Sequence, residues 1–212
     1  MEINWLGHSS VSINSRDLIL ITDPYDSSDG TFMNPQKADI VTVSHDSPKH
    51  SNVDSVSGDP HLINGPGEYE INNFYITGHG TALTTIDQGS ARKMNTLYTI
   101  RAEGLTVCHL GALSQKLTPS QIDQIGRIAV LFVPVTPPED EDNTIIQETI
   151  AALQPRIVVP IQYTMGNASD DLPNPMKFFD TIGAVDKAPQ NRLNITETNL
   201  PAETTSIVLT RH

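Results

Sequence analysis

The sequence predicts an α/β fold in which two β-sheets pack against each other and helices lie outside them. In the first half, short β-branched apolar stretches alternate with clusters of Gly, Pro, Asn, Asp and Ser, the pattern of strands joined by turns. In the second half, helical segments alternate with continuous apolar runs, which are typical of strands covered on both faces. No repeat, low-complexity tract or linker divides the 212 residues, so one domain over 1–212 is predicted.

The strands of the first half are bounded by turn-forming residues. Seven strands are predicted there, near Ile3–Leu6, Val11–Asn14, Leu18–Thr22, Asp39–Ser44, Phe74–Thr77, Thr96–Arg101 and Thr106–Leu110.

Two helices follow, each with its own start signal. Thr118 is a good N-cap, the next residue is proline and Gln121 can close a capping box, so a helix should extend to about Gly126. Thr144 begins a similar segment, whose isoleucines and leucine fall on one face before Pro155 ends the helix.

The remaining elements alternate strands with a third helix. Buried strands are predicted at Ile128–Val135 and Ile157–Ile161, because both runs are almost entirely apolar. A helix is predicted at Pro175–Gly183, and strands near Leu193–Thr196 and Ser206–Thr210 close the chain.

Composition limits the function classes. The chain has 25 acidic and 13 basic residues, a formal charge of −12, which disfavours nucleic acid and anionic membrane surfaces as partners. Its apolar runs reach about 8 residues, whereas a membrane-spanning helix needs roughly 20. The start of the sequence lacks the features of a secretory signal, and the single Cys108 cannot form an internal disulfide, so a cytoplasmic location is predicted.

Histidines are concentrated where predicted strands end. His8, His45, His79 and His109 each lie at such a position, and His50 follows His45 closely in the same loop. Reactive side chains often gather at strand ends in α/β proteins, and clustered imidazoles indicate a zinc site.

Several short motifs occur in a specific order. They are Trp5–Ser10, Ile21–Pro24, Ala38–Asp46, Gly65–Glu70, Asn95–Thr96, Cys108–Gly111, Val133–Val135 and Val159–Tyr163. This series resembles the metallo-β-lactamase superfamily, in particular its zinc-dependent hydrolase branch and the proteins similar to L-ascorbate-6-phosphate lactonase. The resemblance implies a four-layer αβ/βα sandwich of two mixed sheets with helices outside and a zinc site at one edge.

The resemblance also shows where the metal motif departs from that of the family. The family has His-x-His-x-Asp-His after the fourth strand, and here only His45 and His50 remain as ligand positions. The other positions that can be matched carry Ser47, Lys49, Ala112 and Gln162. The remaining family histidine corresponds to either His79 or Leu83, depending on the placement of gaps.

A degenerate site with zinc absent or weakly bound is therefore the main prediction, since zinc requires three or four converging donors. The resemblance assigns a set of residues to the cleft: His8, Asp23, Ser47, Lys49, His79, His109, Ala112 and Gln162. Asp23 could orient a cleft histidine. Two alternatives remain open.

The first alternative is a hydrolase of phosphoesters or lactones with one ion held by His45, His50 and a third ligand such as His79 or His109. The second is a binding or assembly protein whose Lys49 and neighbouring histidines attract a small anion.

Overall fold

The structure is a computed structural model that describes residues 1–26, 33, 36–83, 94–135, 144–163, 175–183 and 188–212. The first strands are β1 (Glu2–Gly7), β2 (Ser10–Ser15), β3 (Leu18–Thr22), β4 (Gln36–Lys37), β5 (Ile40–Thr42), β6 (Val56–Ser57), β7 (His61–Ile63) and β8 (Gly67–Ile71). They are followed by β9 (Phe74–Ala82), β10 (Met94–Ala102), β11 (Leu105–His109), β12 (Val130–Pro134), β13 (Ile157–Ile161), β14 (Leu193–Asn194) and β15 (Thr205–Ser206). The helices are α1 (Pro119–Ile125), α2 (Thr144–Leu153) and α3 (Met176–Thr181), and Val53–Ser55 forms a 3₁₀ turn.

Two large mixed sheets form the framework. The first has the order β14-β1-β2-β3-β5-β7, with antiparallel pairing up to β3 and parallel pairing beyond it. The second has the order β15-β13-β12-β11-β10-β9-β8, parallel as far as β11 and antiparallel from β11 onward. This architecture confirms the predicted fold class.

The main hydrophobic core contains residues of both sheets. Ile3 and Trp5 belong to it, as do Ile76 and Ile100 of the second sheet. The Tyr98 hydroxyl on β10 donates a hydrogen bond to the Val43 carbonyl oxygen, next to the first sheet, at 3.0 Å. The core therefore lies where the two sheets face each other.

The outer face of the first sheet has a separate, smaller core. Side chains alternate between the faces of a strand, and Leu6, Ile21 and Val41 alternate with residues of the main core. They pack with Tyr25, Met33, Ala38, Val43 and Val56. Within the described ranges, residues of loops and short strands cover this part of the outer face of the first sheet. Helices α1 and α2 contact each other, and α2 also contacts β12 of the second sheet.

Most predicted elements are found near their predicted positions. Leu18–Thr22 and Ile157–Ile161 have the predicted bounds, and the predicted capping box of α1 is confirmed by reciprocal hydrogen bonds between Thr118 and Gln121. In α2 the predicted apolar face is buried at Ile146 and Leu153. The described helices include none that is long and apolar enough to cross a bilayer.

Two expectations about the middle of the chain were wrong. Strands β7 and β8 lie between the predicted strands Asp39–Ser44 and Phe74–Thr77, where no strand was predicted. Strand β9 does not end at Thr77 but continues to Ala82, so His79 lies within a strand instead of following one.

Candidate functional site

Asp23 is the centre of a buried polar cluster. It directly follows β3, is 0% exposed and has a positive φ of 40°. Its carboxylate accepts hydrogen bonds from the Ser44 amide at 2.7 Å, the Ser44 hydroxyl at 2.6 Å and His50 Nδ1 at 2.8 Å. These three bonds join the ends of β3 and β5, where the sheet passes into the His45–His50 loop.

The environment of Asp23 favours its ionised form. Burial acts most strongly of all influences and would raise the pKa of this carboxyl group. The hydrogen bonds from His50 and Ser44 and the electrostatic interactions with His109 and His50 together outweigh burial and hold the pKa below its ordinary value of 3.8. Asp23 is therefore a carboxylate at neutral pH.

The same carboxylate fixes the ring orientations of two histidines. The Ser44 hydroxyl has one proton, which it donates to Asp23, so the oxygen accepts from His45 Nδ1 at 3.0 Å. The rings of His45 and His50 lie 4.1 Å apart between centroids. We assign the Nδ1–H tautomer to both rings from these bonds.

Gln162 closes the cluster from the opposite sheet. It follows β13, is 8% exposed and has a φ of 61°. Its side-chain amide nitrogen donates to Ser9 Oγ and lies 3.4 Å from His50 Nε2. With Nδ1 bonded to Asp23, the Nε2 lone pair of His50 faces this amide and not an open position. We call Asp23, Ser44, His45, His50, Gln162 and Ser9 the Asp23 network.

His109 is bound to backbone groups through both ring nitrogens. Nε2 donates to the Ser9 carbonyl oxygen at 2.8 Å, and Nδ1 accepts from the Gly111 amide at 3.1 Å. Burial lowers the pKa of His109, which keeps the ring neutral. The predicted cleft residue is thus beside the network but has no nitrogen available for a ligand.

The other residues assigned to the cleft lie around the network in different ways. The His8 ring is 4.4 Å from the Tyr25 ring, and the His8 carbonyl oxygen accepts from the Gln162 backbone amide. Ala112 donates its amide to Asn95 Oδ1 at 2.9 Å. Both residues therefore support the edge of the network through backbone bonds.

Ser47 and Lys49 occupy the turn between His45 and His50. The Ser47 carbonyl oxygen accepts from the His50 and Ser51 amides, each at 2.8 Å, and Lys49 is half-buried. The turn brings the two histidine rings together across a four-residue gap.

His79 is not part of this cluster. Gly78 pairs with Tyr98, whose hydroxyl bonds toward the first sheet, so the alternating His79 side chain projects from the opposite face of the second sheet. There His79 Nε2 lies 3.3 Å from Thr99 Oγ1, and burial lowers the pKa of His79 while Glu68 opposes that shift. Leu83, the alternative position, directly follows β9 and has no donor atom.

A profile of the β-lactamase superfamily domain matches residues 2–162, which is most of the chain. Together with the two-sheet framework, this match decides the family. The chain belongs to the metallo-β-lactamase superfamily. No match is found among functionally curated proteins.

Solved structures of similar fold cover nearly the whole chain. A proposed Zn-dependent hydrolase from Thermotoga maritima is 28% identical, with a TM-score of 0.75 over 99% of this chain and 98% of that one. A proposed metal-dependent hydrolase from Parabacteroides distasonis is 16% identical, with a TM-score of 0.62 over 98% and 93% of the two chains. An isothiocyanate hydrolase from Delia radicum gut bacteria is 10% identical, with a TM-score of 0.65 over 92% and 100%.

The zinc implied by the superfamily has few donors here. In the ranges that the structure describes, no group of three or more His, Cys, Asp or Glu side chains is arranged to hold a metal ion. His50 Nε2 faces an amide nitrogen, and both nitrogens of His109 bond to the backbone. The described residues do not fit a zinc centre of three or four converging ligands.

Three structural residues in or beside the network were not selected by sequence reasoning. Ser9, Ser44 and Asn95 lie within the quoted motifs, yet none was chosen as a site residue. Asn95 is 0% exposed and donates to Thr81 Oγ1 and the Leu110 carbonyl oxygen while accepting from Ala112. Their signal was a small or amide side chain at a strand end, which is also the signal of an ordinary turn.

Proposed function

We propose that this protein is a metallo-β-lactamase superfamily member in which a protein-only hydrogen-bond network has replaced the metal centre, with little or no hydrolase activity. One observation carries the proposal: the Gln162 amide nitrogen lies against His50 Nε2 while Asp23 holds His50 Nδ1. An imidazole whose Nδ1 is bonded to Asp23 and whose Nε2 faces an amide nitrogen 3.4 Å away presents no open lone pair to an ion.

Backbone strain at the same positions supports descent from a functional site. His8, Asp23 and Gln162 all have positive φ, a conformation that L-residues adopt at a cost and that often marks active sites. On this proposal the strained backbone is inherited from a metal site whose donors have been replaced. Hydrolysis assisted by a metal ion needs that ion to generate hydroxide near neutral pH, so loss of donors removes the nucleophile.

Zinc content and zinc titration test the proposal. Protein purified without chelator should contain far less than one zinc per chain, and calorimetric titration should show no stoichiometric site. The fourfold variant Ser47→His, Lys49→Asp, Ala112→Asp and Gln162→His should gain a zinc site while remaining folded. Stoichiometric zinc that is lost in His50→Ala would contradict the proposal. His61→Ala, at an exposed histidine on β7, is the control and should not change the zinc content in that case.

A single-metal hydrolase is the second candidate, favoured by the bond between Asp23 and His50. A carboxylate that accepts from one ring nitrogen commonly orients a histidine whose other nitrogen binds metal. This candidate requires Gln162 to turn away. It predicts divalent-ion-dependent turnover of a phosphoester or lactone that His50→Ala abolishes, whereas the main proposal predicts no such turnover.

A further inference from the structure

A polar cavity of about 590 Å³ lies on the outer face of the first sheet, away from the Asp23 network. Its floor is formed by β1 and β2, and none of the network residues lines it. The volume falls within the range of small-molecule sites.

The outward-facing residues of β1 and β2 are polar at one end of the strands, where they form the cavity floor, and Leu6 at the other end of β1 is apolar. Glu2 pairs with Asn14 and Asn4 pairs with Ser12, and all four face the cavity. The residues between them along β1 and β2 point inward and belong to the main core. Leu6, the next outward-facing residue of β1 after Asn4, belongs to the smaller core on the outer face. Asn4 and Ser12 are nevertheless only 6% and 5% exposed.

The hydrogen bonds of this floor are long, and one of its acceptor atoms is unsatisfied. The Asn4 and Asn14 amide nitrogens each lie 3.4 Å from Glu2 Oε1, longer than the usual 2.7–3.2 Å for such bonds. Asn14 Oδ1 is buried and has no hydrogen-bond partner among the described residues. Since buried polar groups are normally satisfied, this floor retains capacity for a polar ligand.

We propose that the cavity binds a neutral polyhydroxylated molecule of monosaccharide size. Hydroxyl groups both donate and accept, which complements the mixed amides of Asn4 and Asn14 and the carboxylate of Glu2. The Arg192 guanidinium lies 3.2 Å from Glu2 and offsets its charge, while Arg211 is a second guanidinium in the cavity lining. The overall charge of −12 disfavours anionic ligands, and the mixed donors and acceptors of the floor complement a neutral one.

The test is a titration of ¹⁵N-labelled protein with D-glucose, myo-inositol and D-glucuronate, followed through the side-chain amide resonances of Asn4 and Asn14. A small ligand of about a dozen heavy atoms should bind with a millimolar Kd, so saturable shifts are expected below about 50 mM of a neutral polyol. Absence of saturable shifts with both neutral polyols would overturn the proposal. Saturation by glucuronate alone would overturn the assignment of a neutral ligand.

Two variants locate the binding. Asn14→Leu removes the half-buried amide and should weaken binding roughly tenfold or more, the effect of losing a good hydrogen bond. Ser12→Val provides a second test with a side chain that strands tolerate, and we expect a similar loss. Lys116→Ala is the control, because Lys116 forms an exposed ion pair with Glu148 elsewhere, and it should leave the Kd unchanged. Unchanged binding in folded Ser12→Val would contradict the placement.

Discussion

Two carboxylates in this protein each accept hydrogen bonds from more than one neighbouring residue, yet their surroundings differ. Asp23 is completely buried, and its bonds to Ser44 and His50 are 2.6–2.8 Å long. Glu2 has a side chain that is 33% exposed, and its contacts with Asn4, Asn14 and Arg192 are 3.2–3.4 Å long. The first set is short and closed, whereas the second is long and borders a cavity.

The difference shows how polar groups on one sheet can have opposite roles. In the Asp23 network the assigned donors find protein acceptors, so the network joins the ends of β3 and β5. Around Glu2 the amides share one oxygen at long range and Asn14 Oδ1 has no described partner. A satisfied buried network rigidifies a fold, while the unsatisfied acceptor beside Glu2 is the one to which the proposed ligand would bond.

The largest expected effect is the loss of the Asp23 carboxylate. Asp23→Ala leaves the Ser44 amide, the Ser44 hydroxyl and His50 Nδ1 without their acceptor, and should lower the free energy of unfolding by about 3–5 kcal/mol. Glu2→Ala is the matched change at the exposed carboxylate and should cost about 0–1 kcal/mol. Urea denaturation of both variants measures the difference. Equal losses would refute the contrast between the two regions.

A smaller effect is expected from adding one methyl group beside the network. Gly111 has a φ of +58°, and a Cβ there would meet Asn95 Oδ1 and lie 2.6 Å from Ser44 Cβ. Gly111→Ala should therefore cost about 2–4 kcal/mol, since it combines backbone strain with displacement of buried groups.

Gly183 provides the control for the Gly111 substitution. Its φ is +67°, but a Cβ would meet nothing within 4 Å. Gly183→Ala should cost only the backbone strain, about 1–2 kcal/mol. Thermal or urea unfolding of the two variants separates conformational strain from close packing, and similar costs would show that Ser44 and Asn95 move aside freely.

The sequence predicts the framework well because hydrophobic periodicity and capping are local. The capping box at Thr118 and the apolar run Ile157–Ile161 need no tertiary information. His79 shows the limit: glycines on both sides of it interrupt the strand pattern, so the sequence predicts that the strand ends at Thr77. Its pairing with Leu97 on β10, which is invisible in a single sequence, keeps it within β9.

The site is predicted less completely, for a similar reason. Gln162 could be recognised as a poor zinc ligand from its side-chain type alone. Its contact with His50 joins residues 112 positions apart, so only the fold reveals that the amide faces the Nε2 lone pair. The cavity on β1 and β2 was not predicted because alternating polar residues ordinarily indicate a solvent-facing strand surface.

The smallest effect is a pH dependence that arises from His109 beside the network. Burial depresses its pKa in the folded protein below the ordinary value of 6.5, so the unfolded chain binds the proton more readily. The stabilising contribution is complete above about pH 6.5 and declines as the pH falls from there through the folded pKa, by about 1.4 kcal/mol for each pKa unit of depression.

This predicted direction can be tested by measuring the free energy of unfolding at about pH 7.5 and about pH 5.5. These values lie on either side of the ordinary histidine pKa of about 6.5. The natural protein should be less stable at the lower pH, and His109→Gln should reduce that difference because glutamine does not titrate. His79 has the same direction of shift on the other face of the sheet, so His79→Gln is needed beside it. If His109→Gln has the same pH dependence of the unfolding free energy as the natural protein, protonation of His109 is not the cause of the lower stability at low pH.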